Sequence, residues 1–138
     1  MAGKERYLRY SEGELADVKK LYESVMSFAA HGMFFRTGKI MGGRIAEESK
    51  HGKDYFGSAA NALKDAGWAD AVEFNGHEVN VKGSIEARNG SAPSCHLLRG
   101  VITRLYEENG RKDVSCTEVE CEGSGAKRCL FKIEGGAR

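Results

Sequence analysis

Three cysteines and a glutamate in the last third of the chain, Cys95, Glu118, Cys121 and Cys129, constrain what it can fold into more than any other feature. Three soft thiolates and one carboxylate could close a tetrahedral shell around one zinc ion, which bonds to sulfur at about 2.3 Å and to carboxylate oxygen at about 2.0–2.2 Å. Those distances require all four groups to converge. Cys95 precedes the apolar segment Leu97 to Tyr106, Glu118 and Cys121 close the run that begins at Val114, and Cys129 opens Cys129-Leu-Phe-Lys-Ile133. One ion would then tie the start of a helix to both arms of a hairpin. On a regular strand Glu118 and Cys121 face opposite sides, so their convergence requires a bend or bulge after Glu118.

The 138 residues suffice for one domain with a moderate core, and no shift in composition marks a second. A formal net charge of +1, with basic and acidic residues interleaved, argues against a direct nucleic-acid surface. No apolar run approaches the roughly 20 residues that span a bilayer, and the N-terminus lacks the apolar core of a signal peptide. The expected location is the cytoplasm. In that reducing compartment four cysteines are not a disulfide framework, which leaves metal ligands, reactive thiols or small buried residues. Their clustering favours metal.

Residues Leu15, Val18, Tyr22, Val25, Met26 and Ala29 recur at three and four positions, the spacing of one buried helical stripe. Gly32, Gly38, Gly42 and Gly43 follow among large apolar residues. Glycine costs a helix about 1 kcal/mol against alanine, so either another helix, including one from a second copy of the chain, approaches closely there, or the chain bends near Gly32. Ser58 to Ala66 reads as a short helix stopped by Gly67. Ala71 to Phe74, Asn75-Gly76 and His77 to Val81 give a hairpin signal, since Asn-Gly accepts the positive φ angles of a type I′ turn. The second arm is expected to continue through Gly83, Ile85 and Ala87. Ser94 is a candidate cap for a helix whose stripe is Leu98, Val101, Ile102 and Leu105, closed by Asn109-Gly110. Cys95 thus falls in or before a first turn, where amide dipoles favour a thiolate. A last hairpin runs from Val114 to about Ile133.

Competing readings attach to several residues. His96 adjoins Cys95 but points elsewhere on a helix, and His31, His51 and His77 read as solvated or capping. Cys116 could replace Glu118 in an all-cysteine site suited to zinc or to an iron-sulfur cluster. Three thiolates, one carboxylate and Zn²⁺ leave two negative units, which Lys127 and Arg128 are placed to offset. Glu12, Glu14, Asp17, Lys19 and Lys20 read as a solvated helical face. The segment Gly32 to Ile40 fails as a phosphate loop because its glycine spacing is one residue too long and Ile40 stands where a hydroxyl is needed.

The segment Cys95-His-Leu-Leu-Arg-Gly100, then Glu118-x-x-Cys121, then Gly125-x-x-x-Cys129-x-Phe131-x-Ile133 resembles the 4-vinyl reductase domain of predicted hydrocarbon-binding proteins and aromatic-responsive bacterial sensors. Phe35-Arg-Thr-Gly38-Lys-Ile-Met-Gly42 is similar to that family's glycine-rich pattern. The resemblance spans roughly residues 25 to 134, the core of a single domain 1–138 in which residues 1–24 form an N-terminal helical extension. It implies structural zinc on Cys95, Glu118, Cys121 and Cys129. It also implies an α/β (α+β) fold with a four-stranded antiparallel sheet, helices on one face, and a homodimer built by N-terminal helices. An enclosed apolar cavity for a hydrophobic or aromatic molecule is implied near the metal-bearing hairpin, with Trp68, Phe74, Cys116 and Phe131 as candidate lining residues; each of these taken singly is also an ordinary core residue.

A shell of four protein ligands leaves no vertex for water, so the expected function is non-catalytic: ligand binding or sensing, passed to an output partner protein. The alternatives are a reductase or accessory factor of tetrapyrrole reduction and an iron-sulfur redox protein. No nucleotide-binding glycine motif or acid-base pair supports the first.

Overall fold

The computed structural model describes residues 5–87 and 94–135. Among these residues the chain forms four α-helices and a four-stranded antiparallel open sheet, an α+β fold. The helices are α1 (Glu12–Met26), α2 (Ala29–Ser49), α3 (Tyr55–Asp65) and α4 (His96–Glu108). The strands are β1 (Ala71–Asn75), β2 (Glu78–Lys82), β3 (Val114–Glu120) and β4 (Cys129–Gly135), in the order β1-β2-β4-β3. None of the described helices is long and apolar enough to cross a membrane.

Helix α1 starts at a capping box, in which the Ser11 hydroxyl accepts from the Glu14 N–H and the Glu14 carboxylate accepts from the Ser11 N–H. Its expected buried stripe is a correction. Leu15 and Val18 are half-buried, but Tyr22, Val25 and Met26 are exposed, and Lys19, expected in a solvated face, is the buried residue of this helix at 1% exposure.

The glycines of α2 have their reason inside the same chain. Helix α2 runs unbroken past Gly32, and the break falls earlier, at Ser27 with φ 54°. A Cβ on Gly38 would lie 2.0 Å from the Leu97 carbonyl oxygen, one on Gly42 2.9 Å from that of Val101, and one on Gly100 2.0 Å from that of Phe35. Three missing side chains therefore let α2 and α4 cross nearly backbone to backbone. Of the partners the glycines allow, the one that approaches here is α4.

Helix α3 begins at Tyr55, three residues before the expected start, and ends as expected at Gly67, whose φ of 91° belongs to the left-handed region. The Gly67 and Trp68 N–H groups donate to the carbonyls of Lys64 and Leu63, the pattern of a Schellman cap.

The β1–β2 register pairs Asn75 with Glu78, so the two turn residues are Gly76 and His77 rather than Asn75 and Gly76. Positive φ occurs at Gly76 alone, which is the requirement of a type II′ turn, not type I′. The Tyr106 hydroxyl donates to the Gly76 carbonyl at 2.8 Å and fixes the turn to α4. The expected continuation of the second arm stops at Lys82, where Gly83 takes φ 69° and the chain turns.

Alternation along the strands sends Val79, Val81, Cys116, Cys129, Phe131 and Ile133 to the covered face. There they meet Leu98, Val101, Ile102 and Leu105, the expected stripe of α4. The helix beginning also departs from expectation. Cys95 is the N-cap residue and makes no side-chain cap bond; the N–H groups of Leu97 and Leu98 donate instead to the Glu86 carboxylate at 2.8 and 2.7 Å. Glu86 is 2% exposed and pairs with Lys19 at 2.8 Å. Removing one partner of such a pair costs about 3–5 kcal/mol, because the other charge stays buried alone.

Candidate metal centre

Each donor is delivered by a different local device. Cys95 sits at the start of α4 because the segment after Glu86 returns there to open the helix. Glu118 faces inward from β3, in line with Cys116. The register then shifts: Glu118 pairs with Phe131 and Glu120 with Leu130, so Val119 is the extra residue of a bulge. This is the bend that the spacing requires, and it turns Cys121 back to the inner side. A short 3-10 turn at Glu122–Ser124, ended by Gly125 with φ 100°, returns the chain to Cys129 at the head of β4.

The four donor atoms, three Sγ and a carboxylate oxygen, all lie within 4.8 Å of one another, and all four residues are buried. Cys95 Sγ and Cys129 Sγ are 3.8 Å apart. A tetrahedron with 2.3 Å metal–sulfur bonds has an edge of about 3.8 Å, so this pair already has the separation of two zinc-bound thiolates. Glu118 Oε1 accepts from the Cys95 N–H at 3.0 Å, while its buried Oε2 has no hydrogen-bond partner. A buried carboxylate oxygen left without a partner is costly, and a cation held by the three neighbouring sulfurs would satisfy it. Donor chemistry, spacing and the orphaned oxygen all fit a tetrahedral ion.

Polar groups around the sulfurs complete the site. Ser84 Oγ lies 3.2 Å from Cys95 Sγ and Ser94 Oγ 3.8 Å from Cys121 Sγ, while the Glu122 N–H donates to Cys129 Sγ at 3.3 Å. The Glu122 carboxylate accepts from the Gly83 and Ser84 N–H groups at 3.0 and 3.1 Å, pinning the exit of β2 to the 3-10 turn. Such contacts orient ligands and temper thiolate reactivity. Of these residues Ser94 carries a sequence signal, as the candidate helix cap; Ser84 and Glu122 carry none that separates them from ordinary turn residues.

Without an ion the cluster is electrostatically divided. Hydrogen bonding to Cys121 and Cys129, with burial, pushes the Cys95 thiol far up. The same bond from Cys95 draws Cys121 down to about 4. Burial raises Glu118 to about 7 despite the Cys95 N–H. One site therefore holds groups that retain protons beside one that releases its own, and a divalent cation would replace those protons.

Cys116 lies outside the converging set, at the inner face of β3 with Ile133 opposite. His96 also stays apart: its ring stacks on His31 at 4.1 Å between centroids, and burial lowers it to about 4. His31, expected to be solvated or capping, is thus half-buried in that stack and within 3.2 Å of Glu23. Arg128 turns to Asn80 and Glu120 rather than to the sulfurs.

The candidate lining residues separate. Phe131 and Cys116 are packed in the core, and Phe74 lies against Phe56 and Tyr106 at 5.0 and 6.2 Å between rings. Trp68 instead borders a cleft of about 460 Å³ between the N-terminal segment and α2, with Leu15, Met41, Ile85 and Leu97.

Residues 77–135 match the 4-vinyl reductase domain family, and this stretch contains all four donors except Cys95's partner helix α2, which lies outside it. The chain carries a 4-vinyl reductase segment. Comparison with curated proteins gives no match. Among solved structures the chain is similar to the phenol-responsive sensory domain of the transcription activator PoxR with phenol, at 24% identity and TM-score 0.77, over 98% of this chain and 79% of that one. It is also similar to a vinyl-4-reductase family protein from Methanocaldococcus jannaschii, at 14% identity and TM-score 0.63, over 86% and 79%. Both share the α+β architecture, in which the 4-vinyl reductase segment of this chain supplies β2, α4 and the final hairpin.

Proposed function

We propose that the chain is a zinc-stabilised, non-catalytic domain of the 4-vinyl reductase type that binds a small hydrophobic or aromatic molecule and passes its occupancy to a partner protein. The observation that carries this reading is the buried set of three thiols and one carboxylate at tetrahedral spacing. Four protein donors fill the coordination shell of zinc, so the ion acts on the fold and leaves substrate chemistry without a vertex. The likeness to a phenol-responsive sensory domain supports a ligand-sensing role. Lining by Trp68, Phe74, Cys116 and Phe131 is part of the same proposal. So is a cytoplasmic homodimer, which the exposed apolar residues Leu21, Val25, Phe28 and Ile40 in and between α1 and α2 favour.

The likeness to a vinyl-4-reductase family protein motivates a second reading, an accessory role in tetrapyrrole reduction. An iron-sulfur centre on the same cysteines is the third; the carboxylate in the set favours zinc over it.

Native mass spectrometry with elemental analysis separates these readings. The expected result is a dimer with one zinc per chain that retains or takes up a hydrophobic molecule, and a Cys121→Ser variant that loses zinc and unfolds at lower temperature. Retention of stoichiometric zinc and full stability by Cys121→Ser would refute the metal assignment. Iron with visible absorption, or a bound tetrapyrrole, would favour the alternatives.

A further inference from the structure

Helix α1 is attached to the domain in an unusual way. An outer helix ordinarily docks through an apolar stripe, yet the buried residue of α1 is a lysine. Its apolar residues Leu21 and Val25 face outward at 59% and 76% exposure. Lys19 passes over the Phe34 ring of α2, its ammonium 5.4 Å from the centroid, and ends among acceptors that belong to the start of α4. There Nζ donates to Glu86 Oε2 at 2.8 Å and to the Ser94 carbonyl at 2.7 Å.

Both acceptors are tied to the metal centre. The Glu86 carboxylate holds the first free N–H groups of α4, those of Leu97 and Leu98, and the Glu86 carbonyl accepts from Ser94 Oγ. Ser94 directly precedes Cys95, and its hydroxyl lies 3.8 Å from Cys121 Sγ. Lys19 thus reaches from a peripheral helix to the residue beside a metal ligand. Undocking α1 would strand the Glu86 charge in a buried site and loosen the segment that sets the position of Cys95.

We propose that Lys19 is a positioning residue that latches α1 to the metal-bearing end of α4, so that grip on the ion and docking of α1 are coupled. This rests on the metal reading given above. The coupling is reciprocal by thermodynamic linkage: whatever holds α1 in place tightens the centre, and loss of the ion loosens α1. Because α1 carries exposed apolar residues, its docking also governs which apolar surface the domain presents.

The test uses the zinc-loaded full chain with two readouts, the rate of zinc release to a chromogenic chelator and amide exchange across residues 12–26. Removing a group that orients a metal ligand typically costs about 10–100-fold in metal affinity. Lys19→Met is therefore expected to release zinc at least about tenfold faster. It should also raise exchange in 12–26 while the hairpin 114–135 stays protected. Lys50→Met, which removes exposed ion pairs to Glu47 and Glu108, should change neither. If Lys19→Met fails to fold because Glu86 is left charged, Lys19→Met with Glu86→Gln removes both charges and should show the same two changes. A folded single or double variant with wild-type release and wild-type exchange overturns the proposal. If the wild-type chain takes up no zinc, the metal reading fails on its own, and unchanged exchange in 12–26 then rejects the latch separately.

Discussion

Replacing Gly100 by alanine tests the helix crossing on which the metal-bearing helix depends. The added Cβ would sit 2.0 Å from the Phe35 carbonyl oxygen, 2.9 Å from the Lys39 nitrogen and 3.0 Å from the Gly38 Cα. All three are main-chain atoms of α2 and cannot swing aside as a side-chain tip would. Ordinary contact between carbon atoms begins at about 3.5 Å, so the two helices must part by more than about 1 Å. Overpacking of this severity lies at the upper end of a range reaching about 3 kcal/mol. Alanine returns about 1 kcal/mol through its better helix propensity. The expected net loss is about 2 kcal/mol, or roughly 8 °C in Tm for a domain of this size. Gly32→Ala provides the control: the position is helical, nothing lies within 4 Å of its Cβ, and a gain of up to about 1 kcal/mol is expected. Urea unfolding followed by circular dichroism, with m unchanged, measures both. A Gly100→Ala midpoint at or above wild type, with the gain seen for Gly32→Ala, would show that the crossing is not as tight as described.

Two further outcomes concern buried titrating groups. Burial pushes the Tyr55 and Tyr106 phenols up to about 12. With an unfolded value of about 10, the folded state keeps these protons longer, so their contribution is intact below about pH 10 and lost as pH rises toward 12. Tyrosinate absorbance of the folded protein should therefore show a late-titrating fraction that shrinks in Tyr106→Phe, a change that also costs about 1 kcal/mol at neutral pH through the bond to Gly76. Simultaneous ionisation of every tyrosine near pH 10 in the folded protein would contradict this. Burial likewise raises the Cys116 thiol to about 12, so iodoacetamide at about pH 8 should leave Cys116 unmodified until urea opens the fold, as peptide mass mapping would reveal.

What could be read from the sequence was what local patterns encode. The stripe of α4, the alternation of β3 and β4 and the stop at Gly67 are each set by a few neighbouring residues, and they stand where expected. The step from Glu118 to Cys121 even required the bulge, because strand geometry allows no other way for both to reach one point. Long-range partners were not legible. The α2 glycines announced a close approach but could not say that α4, some 60 residues on, makes it. Lys19 reads as solvated because lysine on a charged helix usually is, and nothing near it in sequence points to Glu86, 67 positions away. The Asn-Gly pair gave the hairpin but not its register, since cross-strand pairing with β4 through Val79 and Phe131 also bears on which residues form the turn.

The bulge at Val119 also decides where this hairpin can vary in length. A strand delivers side chains by parity, and the extra residue converts an odd step between two donors into an even one. One residue inserted or deleted between Glu118 and Cys121 would reverse that parity and send a donor to the outer face, however well the rest of the hairpin folded. The exposed stretch at Ser124 and Gly125 obeys no such count, because a turn measures distance and not alternation. Sequences built on this framework should therefore change length freely at the tip of the hairpin and hold the three-residue step at its shoulder fixed.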